Sequence, residues 1–494
     1  MGVKMPNFLT KFDGTARTPR PAQVEVLKWL SDNWDAEVIA LNLPTAVGKS
    51  AIARAIQIVT GADVVPPTNQ LMDQYTYTYP GINALKGQSN YTCNDTGLTC
   101  GDSKDLNKEC TPDKEGKPGT GLCPSCPYRV VRDRAAEEPT FFNSHSLLFY
   151  NMSMPPKNGV LVVDEAHNLV SMFRDLSGKF FNSRKYLIPK SLADISIEGW
   201  LQEQEDRLKG KKRKTKALKE IVSLDREIQQ IKFTRENYTD NPENYAIELK
   251  KRGHTSSLSI QPLTPPRRIA NRVLQGQKLI LMSATLLPSD VEAIVGHKNF
   301  KYLSIPSPIP AQNRAMQYLP APFPMNSRAE PVKIAKQINS IVAKHKNDNT
   351  IIHLTYGMAE KVAPFLDFLF MQNRSENKDE IITRFKAEGG VFLASGCNEG
   401  IDLPGDECRV NIIPMLFRLN PTDPVVRKKL GLPGGQTWYN EQTLKALIQQ
   451  AGRSTRSADD YSITYVLDPG LPRLMSDSTL TIPDYFKEAI RWQK

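Results

Sequence analysis

The chain has 494 residues, with 64 Lys and Arg against 53 Asp and Glu and a formal net charge of +11. An apolar share of 40% and a charged share of 24% exclude a disordered or fibrous chain. The longest apolar runs, such as Val160 to Val163, fall far short of the roughly 18 residues a membrane span needs, so no membrane association is expected. At about 150 residues per domain the length predicts roughly three domains. The polar, Pro-bearing N-terminus predicts neither secretion nor a lipid anchor, hence a soluble, cytoplasmic protein. The charge surplus favours a polyanionic partner.

In chain order, the first predicted strand is Val38 to Leu43, followed by Leu43-Pro44-Thr45-Ala46-Val47-Gly48-Lys49-Ser50 and a helical stretch from Ser50 to Val59. A loop between strand and helix with this ending is suited to phosphate. Backbone N–H groups and the helix N-terminus cradle the oxygens, Lys49 neutralises charge, and the Ser50 hydroxyl ligates Mg²⁺. Leu43 stands where the usual pattern has its first Gly. Farther on, Tyr75, Tyr77 and Tyr79 alternate; packing along one side of a helix start is expected, with base stacking as the other reading.

Five of the seven cysteines, Cys93, Cys100, Cys110, Cys123 and Cys126, fall within 34 residues of loop-forming composition. In a long chain without a secretion signal this predicts a metal site rather than a disulfide scaffold. The Cys123–Cys126 spacing serves zinc ribbons and iron–sulfur sites alike, and five cysteines for four places leave the ligand set open. The remaining Cys397 and Cys408 have no partner spacing and are expected to be buried, unligated thiols.

The next strand, Val160 to Val163, runs into Asp164-Glu165-Ala166-His167. A carboxylate at a strand's C-terminal end can hold Mg²⁺, and its neighbour can activate water. An insertion of helical character follows from about Val170 to Pro262, with Leu218, Ile221, Leu224, Ile228 and Ile231 on one predicted face. It carries seven basic residues between Lys209 and Lys219, read as a solvated helix turn or loop, or else as a phosphate-contacting patch.

A strand at Leu279 to Met282 closes the first block near Ile305, and Pro306, Pro308, Pro310, Pro320, Pro322 and Pro324 predict a stiff, extended linker. Strands at Thr350 to Leu354, Val391 to Ala394 and Ile463 to Leu467 form a second block from about Pro331. Alternation of buried strands with helices predicts α/β layers of parallel sheet. Gln449 to Arg456 ends a helical stretch beginning at Thr443; if that helix continues, Arg453 and Arg456 share a face, where guanidinium groups would stabilise γ-phosphate charge.

Together these stretches resemble the XPD/DinG-like superfamily 2 DNA helicases that carry an iron–sulfur cluster. The likeness rests on Arg20-Pro21-Ala22-Gln23, the phosphate loop, Thr68 to Gln74, the cysteines, Asn143-Ser144-His145 and Asp164-Glu165-Ala166-His167-Asn168. It continues with Ser283-Ala284-Thr285, Glu399-Gly400-Ile401-Asp402 and Gln449 to Arg456, in family order over most of the chain. The insertion and the Pro-rich linker carry no signature. The resemblance implies two RecA-like motor domains, with a Cys-rich iron–sulfur insertion and a helical, arch-like insertion in the first. The expected segments are 1–85 (motor domain 1, first part), 86–134 (cluster), 135–169 (motor domain 1), 170–262 (arch-like), 263–305 (motor domain 1), 306–330 (linker) and 331–494 (motor domain 2).

The resemblance further implies that Gln23 reads adenine, that Thr45, Ala46, Val47, Gly48, Lys49 and Ser50 bind ATP phosphates with Asp402 and Gln449 also at the nucleotide, and that Ser50 and Asp164 hold Mg²⁺. Lys49, Asp164, Glu165, Arg453 and Arg456 would be catalytic. Thr68 would contact a phosphate of single-stranded DNA, Ser283 and Thr285 would couple hydrolysis to DNA grip, and Glu399 would line the cleft. The Asn90 to Cys93 and Cys126 to Tyr128 flanks resemble those of the family's cluster domain, implying a 4Fe-4S cluster on Cys93, Cys110, Cys123 and Cys126, with Cys100 as alternate for Cys110 and zinc as the alternative metal. Tyr91, Tyr128, Arg129 and Arg132 would lie near a strand-separating wedge, and His145 is expected to be structural.

The expected function is therefore an ATP- and Mg²⁺-dependent, monomeric DNA helicase, moving 5′ to 3′ on single-stranded DNA and opening forked duplexes. Its compact size suggests a phage or viral origin, hence the cytoplasm of a host. Two alternatives stay open: a translocase without strand separation, on DNA or RNA, and a zinc-stapled nucleic-acid-binding module with a vestigial nucleotide site.

Overall fold

The computed structural model describes residues 6–11, 18–94, 97, 99–100, 126–142, 159–193, 195–216, 218–274, 277–297, 299–326, 328–367, 370–371, 378–395, 403–455, 457 and 459–492. Cys110, Cys123, Asn143, Ser144, His145, Cys397, Glu399, Gly400, Asp402 and Arg456 lie outside the described residues.

The strands β1 (Val38–Asn42), β2 (Asp63–Val65), β3 (Asn83–Leu85), β4 (Thr140–Phe142) and β5 (Val160–Val163) come first. They are followed by β6 (Lys179–Asn182), β7 (Tyr245–Arg252), β8 (Thr255–Pro262), β9 (Lys278–Ser283) and β10 (Lys301–Ser304). The remainder are β11 (Arg314–Tyr318), β12 (Thr350–Leu354), β13 (Phe370–Met371), β14 (Val391–Ser395), β15 (Val410–Ile413), β16 (Ser462–Val466) and β17 (Ile490–Arg491).

Two seven-stranded sheets result, in the orders β10-β1-β9-β5-β2-β4-β3 and β13-β14-β12-β15-β16-β11-β17. In the first, β5 pairs parallel with β2 and β9; in the second, β12 pairs parallel with β14 and β15. Every residue of β1, β5, β12, β14 and β15 is buried, which is why these segments read as unbroken apolar runs rather than alternating ones. The two sheets are the parallel α/β layers expected from the alternation of elements, in keeping with the two RecA-like domains that the resemblance implies.

The chain divides into two compact units. One comprises Met1–Leu41, Ser50–Leu303 and Thr422–Lys429; the other comprises Asn42–Lys49, Ser304–Pro421 and Leu430–Lys494. In the first, Leu161, Val163, Leu279 and Leu281 of the sheet pack with Phe173, Leu286 and Val291. In the second, Ile352, Leu393 and Ile412 pack with Ile334 and Ile338 of the helix Pro331–Val342.

The insertion contains the helices Ile197–Lys214 and Leu218–Asp240, with Leu224, Ile228 and Ile231 buried on one face of the second. It also contains a sheet that the helical reading did not include: β7 and β8 form an antiparallel hairpin, with β6 on the far side of β8. The alternation in Tyr245-Ala246-Ile247-Glu248-Leu249 and Leu258-Ser259-Ile260, on either side of Gly253 at φ +55°, carries that signal. Phe181, Leu258, Ile260 and Tyr245 on its inner face pack with Trp200, Leu201 and Ile231 from the helices.

Two local expectations are corrected. The Pro-rich stretch is not linker throughout, because β11 lies in the second sheet between β16 and β17 and runs parallel to both. Prolines flank this strand but do not enter it, so Arg314 to Tyr318 keep the N–H groups a ladder requires. The three tyrosines do not share a side either: residues 69–78 are helical, so Tyr75 and Tyr79, four apart, are buried, whereas Tyr77 is 89% exposed. The basic run spans a helix end and turn, where Lys209 pairs with Glu205, Lys211 with Glu220 and Lys212 with Asp225.

Candidate nucleotide site

The phosphate loop connects β1 to the helix Lys49–Thr60. Leu43 and Val47 are fully buried, so the position that departs from the usual Gly holds a core side chain. Ala46 at φ +69° and Gly48 at φ +86° occupy the left-handed region, which only Gly enters without steric cost. Holding Ala46 there costs on the order of 1–3 kcal/mol. Left-handed residues interspersed in a turn direct successive N–H groups toward one concave side, the geometry that receives anions. Gln23 is buried at the start of the helix Pro21–Asp32, where its Oε1 accepts the Arg20 N–H at 2.9 Å.

The acidic segment follows β5, and β9 with Ser283 at its end is hydrogen-bonded beside it. Asp164 N–H donates to Val65 O and Ala166 N–H to Met282 O, both at 2.9 Å, tying the turn to the strands on either side. Glu165 adopts φ +46°, a strained conformation for a residue with a side chain, and strain of this kind concentrates at functional sites.

The Asp164 carboxylate is held from two directions. Its Oδ1 accepts the Glu165 N–H and its Oδ2 accepts the Tyr75 hydroxyl, each at 2.9 Å. Burial first, then the negative charge of Asp164, raises the Tyr75 pKa well above the usual phenol range, so this phenol remains a donor. Tyr75 lies in the helix Asn69–Thr78, whose N-cap is Thr68; the Thr68 Oγ1 accepts the Leu71 N–H at 3.2 Å.

The Ser283 hydroxyl, fully buried, donates to Glu165 Oε2 at 2.8 Å and accepts the Thr285 N–H at 3.1 Å. His167 Nδ1 stands 2.8 Å from the same oxygen. A serine has one proton, and here it points at Glu165, so His167 Nδ1 must carry hydrogen and donate. Ser283 is thus joined directly to Glu165 and Thr285 through Ser283, with His167 completing the set.

In the second unit, the helix Gly435–Ala451 ends with Gly452 N–H donating to Ile448 O at 3.0 Å. The helix ends before Arg453, whereas a shared helical face with Arg456 was expected only if it continued; Arg456 lies outside the described residues. Gly452 sits close to the phosphate loop: a Cβ there would stand 3.5 Å from Thr45 Cγ2. Gln449 is partly buried near the end of the helix, and the Asn411 Nδ2 donates to Gln450 O at 2.7 Å. Behind them is His353, fully buried on β12; burial, then the Arg453 charge, pulls its pKa down to about 3. His353 and Asn411 were missed in sequence, as was the bond of Tyr75 to Asp164, although a His within Ile351-Ile352-His353-Leu354 is an out-of-place polar group.

Among the described cysteines, Cys93, Cys100, Cys126 and Cys408 are buried. Cys100 and Cys126 share a small buried cluster with Tyr91 and Tyr128, whose rings meet edge to face at 5.4 Å. That environment fits two thiolates of a larger ligand set, and it brings the alternate, Cys100, beside Cys126. No group of three or more His, Cys, Asp or Glu suited to a metal occurs among the described residues. Cys408 lies apart, its pKa pushed up to about 11 by burial, with Ser454 Oγ donating to its sulfur.

The fold thus has two sheet-based units, with a loop of phosphate-binding pattern after one strand and an acidic turn after another. Residues 335–484 match the family of helicase C-terminal domains. In fold the chain resembles solved XPD helicases. It matches an XPD helicase structure with a TM-score of 0.66 at 14% identity, covering 97% of this chain and 100% of the other. It matches the Xpd4 structure of S. tokodaii with a TM-score of 0.57 at 14% identity, covering 96% and 100% respectively. No curated protein matches the chain in sequence. No helix among the described residues is long and apolar enough to cross a membrane.

Proposed function

We propose that this chain is an ATP-dependent helicase that moves 5′ to 3′ along single-stranded DNA and opens forked duplexes. The observation that carries the reading is the Tyr75–Asp164–Glu165–Ser283–His167 network, in which both acids of the turn are held by buried hydroxyl groups. An acid pair of purely structural use would have no need of a strained Glu165 left partly exposed beside a buried Asp164.

In this reading Lys49 binds the β/γ-phosphates while Ser50 and Asp164 hold Mg²⁺. Glu165 orients and deprotonates the attacking water, and Ser283 holds its carboxylate in position. Arg453 and Arg456 supply positive charge to the transferring phosphoryl group. Gln23 sets the adenine, with Asp402 and Gln449 completing the nucleotide contacts; Thr68 and Glu399 serve the strand side. Cys93, Cys123, Cys126 and either Cys100 or Cys110 would hold a 4Fe-4S cluster; the shared burial of Cys100 with Cys126 supports Cys100 as the fourth ligand. The cluster would supply a rigid cross-link for a loop-rich segment.

Glu165→Gln tests the assignment. The variant is expected to lose ATP hydrolysis while binding single-stranded DNA as before, and normal turnover would remove Glu165 from the role of base. Forked DNA and RNA substrates compared side by side with purified wild-type protein separate a DNA helicase from an RNA-directed or non-unwinding translocase.

A further inference from the structure

We infer that the outward face of the β6-β8-β7 sheet is an additional binding surface for single-stranded nucleic acid, with Arg184, Lys250 and Arg252 on phosphates and Phe180 stacked on a base. The inference rests on the proposed nucleic-acid function and adds to it a site on the separate three-stranded sheet of the insertion.

Strand register fixes which side chains share this face. Phe180 pairs with Ser259 and Asn182 with Ser257 on one side of β8; Lys250 pairs with Ser257 and Arg252 with Thr255 on the other. Side chains alternate along a strand, so the partners of this set, Phe181, Leu258 and Ile260, point into the core. The outward set lines a groove of about 440 Å³, with Arg184 just beyond the end of β6 and Ser257 and Thr255 in the floor.

The chemistry of the groove selects its occupant. Phe180 is 59% exposed, while its neighbour Phe181 is fully buried. Around Phe180 stand hydroxyls, an amide and cations rather than other large apolar side chains, which argues against the apolar centre expected of a protein interface. No acid lines the groove. Glu248, the acid on this face of β7, already pairs with Lys250 at 2.6 Å and Arg427 at 3.4 Å. Arg184 and Arg252 form no ion pair among the described residues, in contrast to Lys209, Lys211 and Lys212 at the helical tip. One open aromatic ring beside Arg184, Arg252 and Lys250, only the last of them ion-paired among the described residues, and small hydrogen-bonding groups is what a nucleotide requires: a π-face for the base and positive charge for the phosphate. From Ser259 to Thr255 the face runs roughly 13 Å, room for a short stretch of extended strand.

Fluorescence anisotropy with labelled 30-nucleotide oligo(dT) and oligo(U), titrated at several salt concentrations, tests the surface on the full chain. The variant R184A/K250A/R252A is expected to bind more weakly and to show a log–log salt slope shallower by about 2, since each phosphate contact on a single strand contributes about 0.7. Phe180→Ala is expected to weaken binding by roughly tenfold at unchanged slope, within the range for loss of one stacked base. In both variants, ATP turnover at saturating oligonucleotide stays at the wild-type level, and K211A/K212A, which removes the paired lysines, leaves affinity unchanged. Photo-crosslinking of 4-thiothymidine oligonucleotide to the Phe180 segment is the expected direct signal. Wild-type affinity and slope in both variants, with no crosslink there, would overturn this surface and leave the proposed function standing. Failure of the wild-type protein to bind either oligonucleotide would overturn both.

Discussion

The Tyr75 hydroxyl donates to Asp164 Oδ2 at 2.9 Å inside the first unit, joining the proposed Mg²⁺ ligand to the helix that Thr68 caps. A hydrogen bond to a charged acceptor contributes about 1.5–3 kcal/mol. Tyr75→Phe should therefore lower unfolding stability by about that amount and raise the Mg²⁺ concentration needed for half-maximal ATP hydrolysis. Titration of ATPase against Mg²⁺ checks this, and an unchanged midpoint would confine Tyr75 to packing.

Ser283 serves Glu165 and the Thr285 N–H with one hydroxyl. Ser283→Ala leaves a buried N–H without that acceptor, at a cost of about 1–3 kcal/mol, and frees the Glu165 carboxylate. Hydrolysis is expected to become less responsive to DNA, so that base pairs opened per ATP consumed fall. Equal coupling ratios for variant and wild type would argue against this link.

His353 makes stability depend on acidity. Its folded pKa, about 3, lies below the unfolded value of 6.5, so the unfolded chain takes up the proton first as pH falls. The contribution from neutral burial is complete above about 6.5 and is lost between there and about 3, at about 1.4 kcal/mol per pH unit. Urea unfolding at pH 7 and pH 5 should show this loss in the wild type and a smaller one in His353→Leu. Parallel losses in the two proteins would mean that other groups govern the slope.

Cys126 and Cys100 share one buried cluster. Anaerobically purified wild-type protein is expected to be brown, and Cys126→Ser and Cys100→Ser are expected to lose that absorbance, with unwinding falling more than ATP hydrolysis. Colour retained in Cys100→Ser but lost in Cys110→Ser would return the fourth position to Cys110. Colourless wild-type protein containing zinc would replace the cluster with the alternative metal.

Legibility in sequence followed how local each signal was. The strand Val160 to Val163 with its acidic turn, and the loop ending Gly48-Lys49-Ser50, were readable because their physics lies in consecutive residues. The β7–β8 hairpin was readable in principle but was masked by the helical periodicity beside it. Strand β11 was hidden because the prolines on both sides dominate local composition, whereas its place is set by partners 148 and more residues downstream. Tyr75 carried no mark of its role, since nothing near it in the chain names Asp164, 89 positions away.

Sequence alone therefore determined two blocks of parallel α/β structure and pointed to the chemistry proposed, since a loop of phosphate-binding pattern and an acid pair follow from residue type and spacing. Tertiary structure decided how the acids are held, which tyrosines are buried, that a proline-flanked segment joins a sheet, and that one face of the insertion gathers Phe180, Arg184, Lys250 and Arg252. Those outcomes depend on strand register and long-range hydrogen bonds. Both are set by the global burial of apolar faces, which a local pattern constrains but does not specify.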